Sequence, residues 1–75
     1  MRPIYEIAAE IKKVWKNMPD YAKVYVDPMF DLTTIDDNYM FDSGKSIVLY
    51  FLANASSWRG EDARRIKAEL KQMCK

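Results

Sequence analysis

The stretch Ser46-Ile47-Val48-Leu49-Tyr50-Phe51-Leu52-Ala53 constrains this chain more than any other. It sets six large apolar or aromatic side chains in a row, and no charge falls between Lys45 and Arg59. Burying one such side chain is worth about 1.5–3 kcal/mol, so the run is expected at the centre of the fold, with no side turned to water. Ile47, Val48, Tyr50 and Phe51 suit a strand, whereas Leu49, Leu52, Ala53 and Ala55 suit a helix. From Asp42 to Ser56 there is no proline and, past Gly44, no turn signal. That length predicts a buried helix over 43 to about 56, with Asp42 or Ser43 as its N-cap.

Two amphipathic segments flank it. Ile4, Ile7, Ala8, Ile11, Val14 or Trp15, and Met18 recur at helical spacing, which predicts a helix over 4–18 that starts at Pro3 and stops at Asn17-Pro19. Ala63, Ile66, Leu70 and Met73 repeat the pattern over 60–73. Ser57 is the expected cap there, and Glu61 with Arg65 an expected i, i+4 ion pair. Between the first two elements, residues 20–35 read as a helix with Tyr21, Val24 or Tyr25, Pro28, Leu32 and Ile35 on one side. Pro28 threatens a break at Asp27, with a fresh turn over Met29–Leu32. Asp36-Asp37-Asn38 are turn formers, and Tyr39, Met40 and Phe41 are expected to tuck back onto the core.

The fold class expected over the single domain 1–75 is therefore all-α, a three- to four-helix bundle around a buried central helix. An α+β fold with a two-stranded ribbon from 21–26 and 46–52 stays open as the alternative. A chain of 75 residues buries only about 60% of the surface its unfolded form exposes, so its margin is thin. With a single cysteine, Cys74, no intramolecular disulfide can help, which suits a reducing, cytoplasmic setting. The basic-then-apolar layout of a signal peptide is missing, and no apolar run approaches the roughly 20 residues of a membrane span, so no membrane association is expected.

No motif carries chemistry. Gly44-Lys45-Ser46 resembles the end of a phosphate-binding loop, but the position five residues before Gly44 is Tyr39 and not glycine. A calcium loop counted from Asp36 meets Phe41 where glycine belongs and Ile47 where glutamate belongs. The chain has no histidine to activate Cys74. The expectation is a non-enzymatic protein with no catalytic residue, no metal and no cofactor.

What remains is surface. Residues 1–23 carry a net +2, residues 24–42 carry five aspartates and no cation, and residues 43–75 carry a net +4. Such asymmetry either marks interaction faces or is satisfied within the molecule, Arg59 pairing with an aspartate of the acidic middle. The residues singled out as an interaction surface are Trp58, Arg59, Arg64, Lys67 and Lys71, with Asp36 and Asp37. Tryptophan and arginine are enriched at binding hot spots, and Arg64, Lys67, Lys71 and Lys75 run down one strip of the last helix, which Lys12, Lys13 and Lys16 could join. The plainer readings are that Trp58 closes the core as a hydrophobic staple and that the strip is a solvated helix face.

The run from Ser46 to Lys67, which includes Ala53-Asn54-Ala55-Ser56-Ser57-Trp58-Arg59-Gly60-Glu61, resembles small accessory proteins of bacterial phages and mobile elements. Their start is similar to Ile4-Tyr5-Glu6-Ile7-Ala8 and Lys13-Val14-Trp15-Lys16-Asn17, and Pro28 departs from their helix-friendly second segment. The resemblance implies a protein that binds and modulates host or phage machinery, anti-CRISPR and antirestriction factors being examples, and it carries no site residues. A protein partner is expected; nucleic acid on the basic face and a second copy of the chain stay open.

Overall fold

In the computed structural model, which describes residues 2–75, four helices pack around one core: α1 (Ile4–Val14), α2 (Asp20–Met29), α3 (Gly44–Ala53) and α4 (Glu61–Met73). A hairpin of two-residue strands, β1 (Asn38–Tyr39) and β2 (Asp42–Ser43), joins α2 to α3, with Asn38 opposite Ser43 and Tyr39 opposite Asp42. The molecule is a small helical bundle. Residues 21–26 and 46–52 lie in α2 and α3, so the ribbon expected as an alternative does not form there. No helix among the described residues is long and apolar enough to cross a membrane.

α1 buries Ile4, Ile7, Ala8 and Ile11, the stripe its spacing dictates. Its first N–H groups have no side-chain cap; Ile4 and Tyr5 donate instead to the carbonyls of Thr33 and Leu32, both at 2.9 Å. The helix stops at Val14, four residues short of the expected Met18. Trp15 leaves helical geometry (φ −100°, ψ 78°), and its indole stacks on Trp58 at 4.9 Å with the rings 5° from parallel. Phe51 of α3 meets both indoles edge-on at 6.4 Å. Such offset and edge contacts are the favoured aromatic geometries, and they tie the end of α1 to the start of α4 through α3.

α2 shows no break at Asp27. Pro28 lies one residue before its end, where the missing N–H removes a single bond, and the chain then tightens through Phe30 N–H to Asp27 O, Asp31 N–H to Pro28 O and Leu32 N–H to Met29 O. The buried side is Ala22, Val26 and Met29, one step round from the expected one, and Tyr21 and Val24 face water. Tyr21 hydrogen-bonds Ser57 at 3.2 Å and Tyr25 packs on Tyr50, so this rim of α2 closes over α3 with tyrosines and not aliphatics.

α3 is central but not wholly buried. Ile47, Val48 and Phe51 face inward, whereas Leu49 is 45% and Tyr50 53% exposed. A ten-residue helix on a thin domain cannot be covered on every side by three others. Ser43 is its cap: the Ser43 hydroxyl accepts the Ser46 N–H at 3.1 Å. Gly44 N–H donates to Asp37 O at 2.6 Å and Lys45 N–H to Ile35 O at 3.0 Å. A Cβ at Gly44 would lie 2.9 Å from Thr34 O and 3.1 Å from Asp37 O, so only glycine lets the 34–37 loop press on the helix start. These bonds also close the phosphate-loop reading of Gly44-Lys45-Ser46, because all three N–H groups are taken.

α4 buries Ala63, Ile66, Leu70 and Met73 as its spacing dictates. Its cap is Gly60 and not Ser57; with φ 114° and ψ 178°, Gly60 occupies a region that glycine alone adopts without strain.

Candidate functional site

The two sides of α4 carry charges with different fates. On one side Arg65 donates to Glu10 of α1 at 2.7 Å and to Asp62 at 3.2 Å. The neighbouring Glu69 takes a two-pronged bond from Arg2 at 3.1 and 2.7 Å, and Arg2 also reaches Glu10 at 2.8 Å. The expected Glu61–Arg65 pair is replaced by this network, which clamps α1 to α4. The Arg65 hydrogen bond holds the Glu10 carboxyl below its ordinary range, and the Arg2 hydrogen bond does the same for Glu69.

On the other side Arg64, Lys67 and Lys71 have no acidic partner among the described residues, and neither has Arg59. These four cations line an open groove of about 510 Å³ between the Ser56–Gly60 loop and α4, with Ala63 and Ala68 as its small apolar floor. Lys67 is held in place: its ammonium donates to Trp58 O at 2.6 Å and lies 5.9 Å from the indole centre. Burial, and then the repulsion of Lys71 and Arg59, lower its proton affinity. Like charges gathered without a counter-charge make a local field that an anionic group relieves.

The structure thus brings Arg59, Arg64, Lys67 and Lys71 together, with Trp58 beneath them. Trp58 is only 5% exposed, so it closes the core and presents no anchor to a partner. Lys12 does not join the strip; it pairs with Asp27 of α2 at 3.0 Å and covers Phe30 at 5.2 Å, and Lys13 and Lys16 lie outside the groove lining. Asp36 lines a separate concavity of about 420 Å³ with Arg2, Tyr5 and Met73. Asp37 is spent on its own loop, its carboxylate accepting the Thr33 and Thr34 N–H groups, which lower its proton affinity. Asp27 is the one aspartate of the 24–42 stretch in an ion pair among the described residues. The charge asymmetry is therefore not neutralised internally, and Arg59 does not reach an aspartate.

A second surface feature contradicts the sequence expectation. Tyr39 packs half-buried against the core, but Met40 and Phe41 form the tip of the hairpin and stand 80% and 105% exposed. Met40 has φ 55°, at the first central position of a two-residue turn, where glycine or asparagine is the usual occupant. A non-glycine residue there is strained by roughly 1–2 kcal/mol, and the bare phenylalanine forgoes about 1.5–3 kcal/mol of burial. The sequence cue was the lack of any glycine at the tip of a turn flanked by Asp36-Asp37-Asn38 and Asp42; read as apolar content alone, Met40-Phe41 looks like core.

No group of three or more acidic or thiol side chains that could hold a metal ion occurs among the described residues. Cys74 is half-buried, and burial raises its thiol pKa, the opposite of what a nucleophile requires. No family model, no curated protein and no solved structure matches this chain.

Proposed function

We propose that the chain is a non-enzymatic interaction module whose α4 groove receives an acidic stretch of a partner protein. The observation that carries the reading is the contrast along one helix: Arg65 and Glu69 are spent on ion pairs with the first helix and its lead-in, while Arg64, Lys67, Lys71 and the nearby Arg59 stay unneutralised around an alanine floor. Small floor residues leave room for a polypeptide to lie close to α4, and rim cations steer and orient it. A nucleic acid fits less well. The net charge is only +1, and unpaired aspartates on the rest of the surface oppose a long polyanion, whose binding depends on many phosphate contacts. The resemblance to phage accessory proteins supports host or phage machinery as the source of the partner, with inhibition of a CRISPR or restriction system as the form the activity takes.

The test is fluorescence anisotropy with a labelled glutamate-rich peptide and with a single-stranded oligonucleotide of equal charge, on the parent and on Arg64→Glu/Lys71→Glu. The peptide binds the parent at low salt. Losing surface pairs worth about 0.2–1 kcal/mol each, and gaining repulsion, weakens it roughly tenfold or more in the variant. Peptide binding that ignores the substitutions overturns the reading, and tight binding of the oligonucleotide alone replaces it with a nucleic-acid-binding one.

A further inference from the structure

The hairpin tip and the α4 groove are complementary to each other. The tip offers Phe41 and Met40, both bare, next to the carboxylate of Asp42, which has no ion pair among the described residues. The groove offers an alanine-floored cleft with Arg59, Arg64, Lys67 and Lys71 on its rim. A phenylalanine left in water on a strained turn is an arrangement the chain's own fold does not require, since Tyr39 alone makes the hairpin's contact with the core. We propose that the tip of one copy seats in the α4 groove of another, apolar on apolar and carboxylate on cation. This rests on the reading of the groove as an acceptor of acidic polypeptide, and names a second copy of the chain as an occupant.

The placement makes the contact heterologous. The tip lies between β1 and β2, whereas the groove is built from the Ser56–Gly60 loop and α4, so the two halves of the contact are different patches of one surface. Each copy donates one tip and offers one groove, which links copies head to tail into a ring or an open chain. Two tip residues bury little area, so association is weak, concentration-dependent and screened by salt.

Sedimentation velocity decides it, using two variants that are each defective in one half of the contact. Phe41→Ser removes the tip and keeps the groove; Arg64→Glu/Lys71→Glu removes the groove and keeps the tip. All these side chains are exposed, and circular dichroism and thermal melting verify that each variant folds. The average mass of the parent rises with concentration at low salt and returns to that of the monomer near 1 M salt, where the screening length is about 3 Å. Each variant alone self-associates about tenfold or more weakly. Mixed, the two form a one-to-one dimer and nothing larger, because only one intact tip and one intact groove remain between them. A parent that stays monomeric at every concentration overturns the proposal, as does association that either variant retains, or a mixture that forms no dimer. If such a monomeric parent still binds the acidic peptide, self-association fails while the acceptor groove stands; if the peptide fails too, both fall.

Discussion

Replacing Trp58 with alanine tests whether its indole belongs to the core or to a binding surface. The indole is 5% exposed, lies 4.9 Å from Trp15 in a near-parallel stack and meets Phe51 edge-on at 6.4 Å. Truncating a large buried aromatic costs about 3–5 kcal/mol, and the stack contributes roughly 0.5–1.5 kcal/mol beyond its buried area. A domain of 75 residues has about 4–11 kcal/mol in total, at roughly 0.05–0.15 kcal/mol per residue. Trp58→Ala therefore removes about a quarter or more of the stability, lowering Tm by about 12 °C or more at roughly 4–8 °C per kcal/mol. Urea unfolding followed by far-ultraviolet circular dichroism measures the loss. Trp15→Leu, Trp58→Leu and the double variant form a cycle that isolates the ring–ring contribution, since leucine keeps apolar bulk and removes the ring. A loss below about 0.5 kcal/mol for Trp58→Ala, the usual range for substitutions away from the core, refutes the burial argument and returns Trp58 to the partner surface.

Gly44→Ala sets a methyl group against the Thr34 and Asp37 carbonyls and costs about 1–3 kcal/mol, visible as a lower urea midpoint. Met40→Gly relieves the positive φ at the hairpin tip and raises stability by up to about 1 kcal/mol, read as a higher Tm. Glu10 and Glu69 have carboxyls lowered by their arginine hydrogen bonds, so the folded state binds protons less readily than the unfolded one. Their contribution is full above the ordinary glutamate value of about 4.3 and is lost as pH falls through the lowered folded values. Tm measured against pH is thus level near neutrality and drops in acid, and Glu69→Gln lowers the neutral plateau by about 1 kcal/mol or less while shallowing the drop.

Helices α1 and α4 were legible because each shows one apolar stripe, and a single stripe admits one docking. The end of α1 was not, since Trp15 fits the stripe as well as Val14 does, and its stacking partner Trp58 lies forty-three positions away. The inward side of α2 lies one step round from the expected one because tyrosines tolerate both water and packing, so Tyr21 and Tyr25 do not declare which side is inward. The exposed Leu49 and Tyr50 of α3 were hidden for another reason: an unbroken apolar run from Ile47 to Leu52 holds no charge to mark its outward side. The four groove cations were legible as residue types, but which cations are neutralised is a tertiary matter: Arg64 and Arg65 are adjacent in sequence, and only the structure shows that Arg65 is spent on Glu10. The hairpin tip was marked only by the turn formers on either side of it, and its apolar residues read as core.

The most direct test of the central claim maps where an acidic segment binds. Amide chemical shifts of the nitrogen-15-labelled protein are followed while the glutamate-rich peptide is added at low salt. The acceptor-groove account predicts shifts concentrated at residues 58–71, strongest around Arg64, Lys67, Ala68 and Lys71, and abolished in Arg64→Glu/Lys71→Glu. Shifts that spread evenly over Lys13, Lys16, Lys23 and Lys45, or that gather at the Asp36–Asp42 hairpin, contradict it.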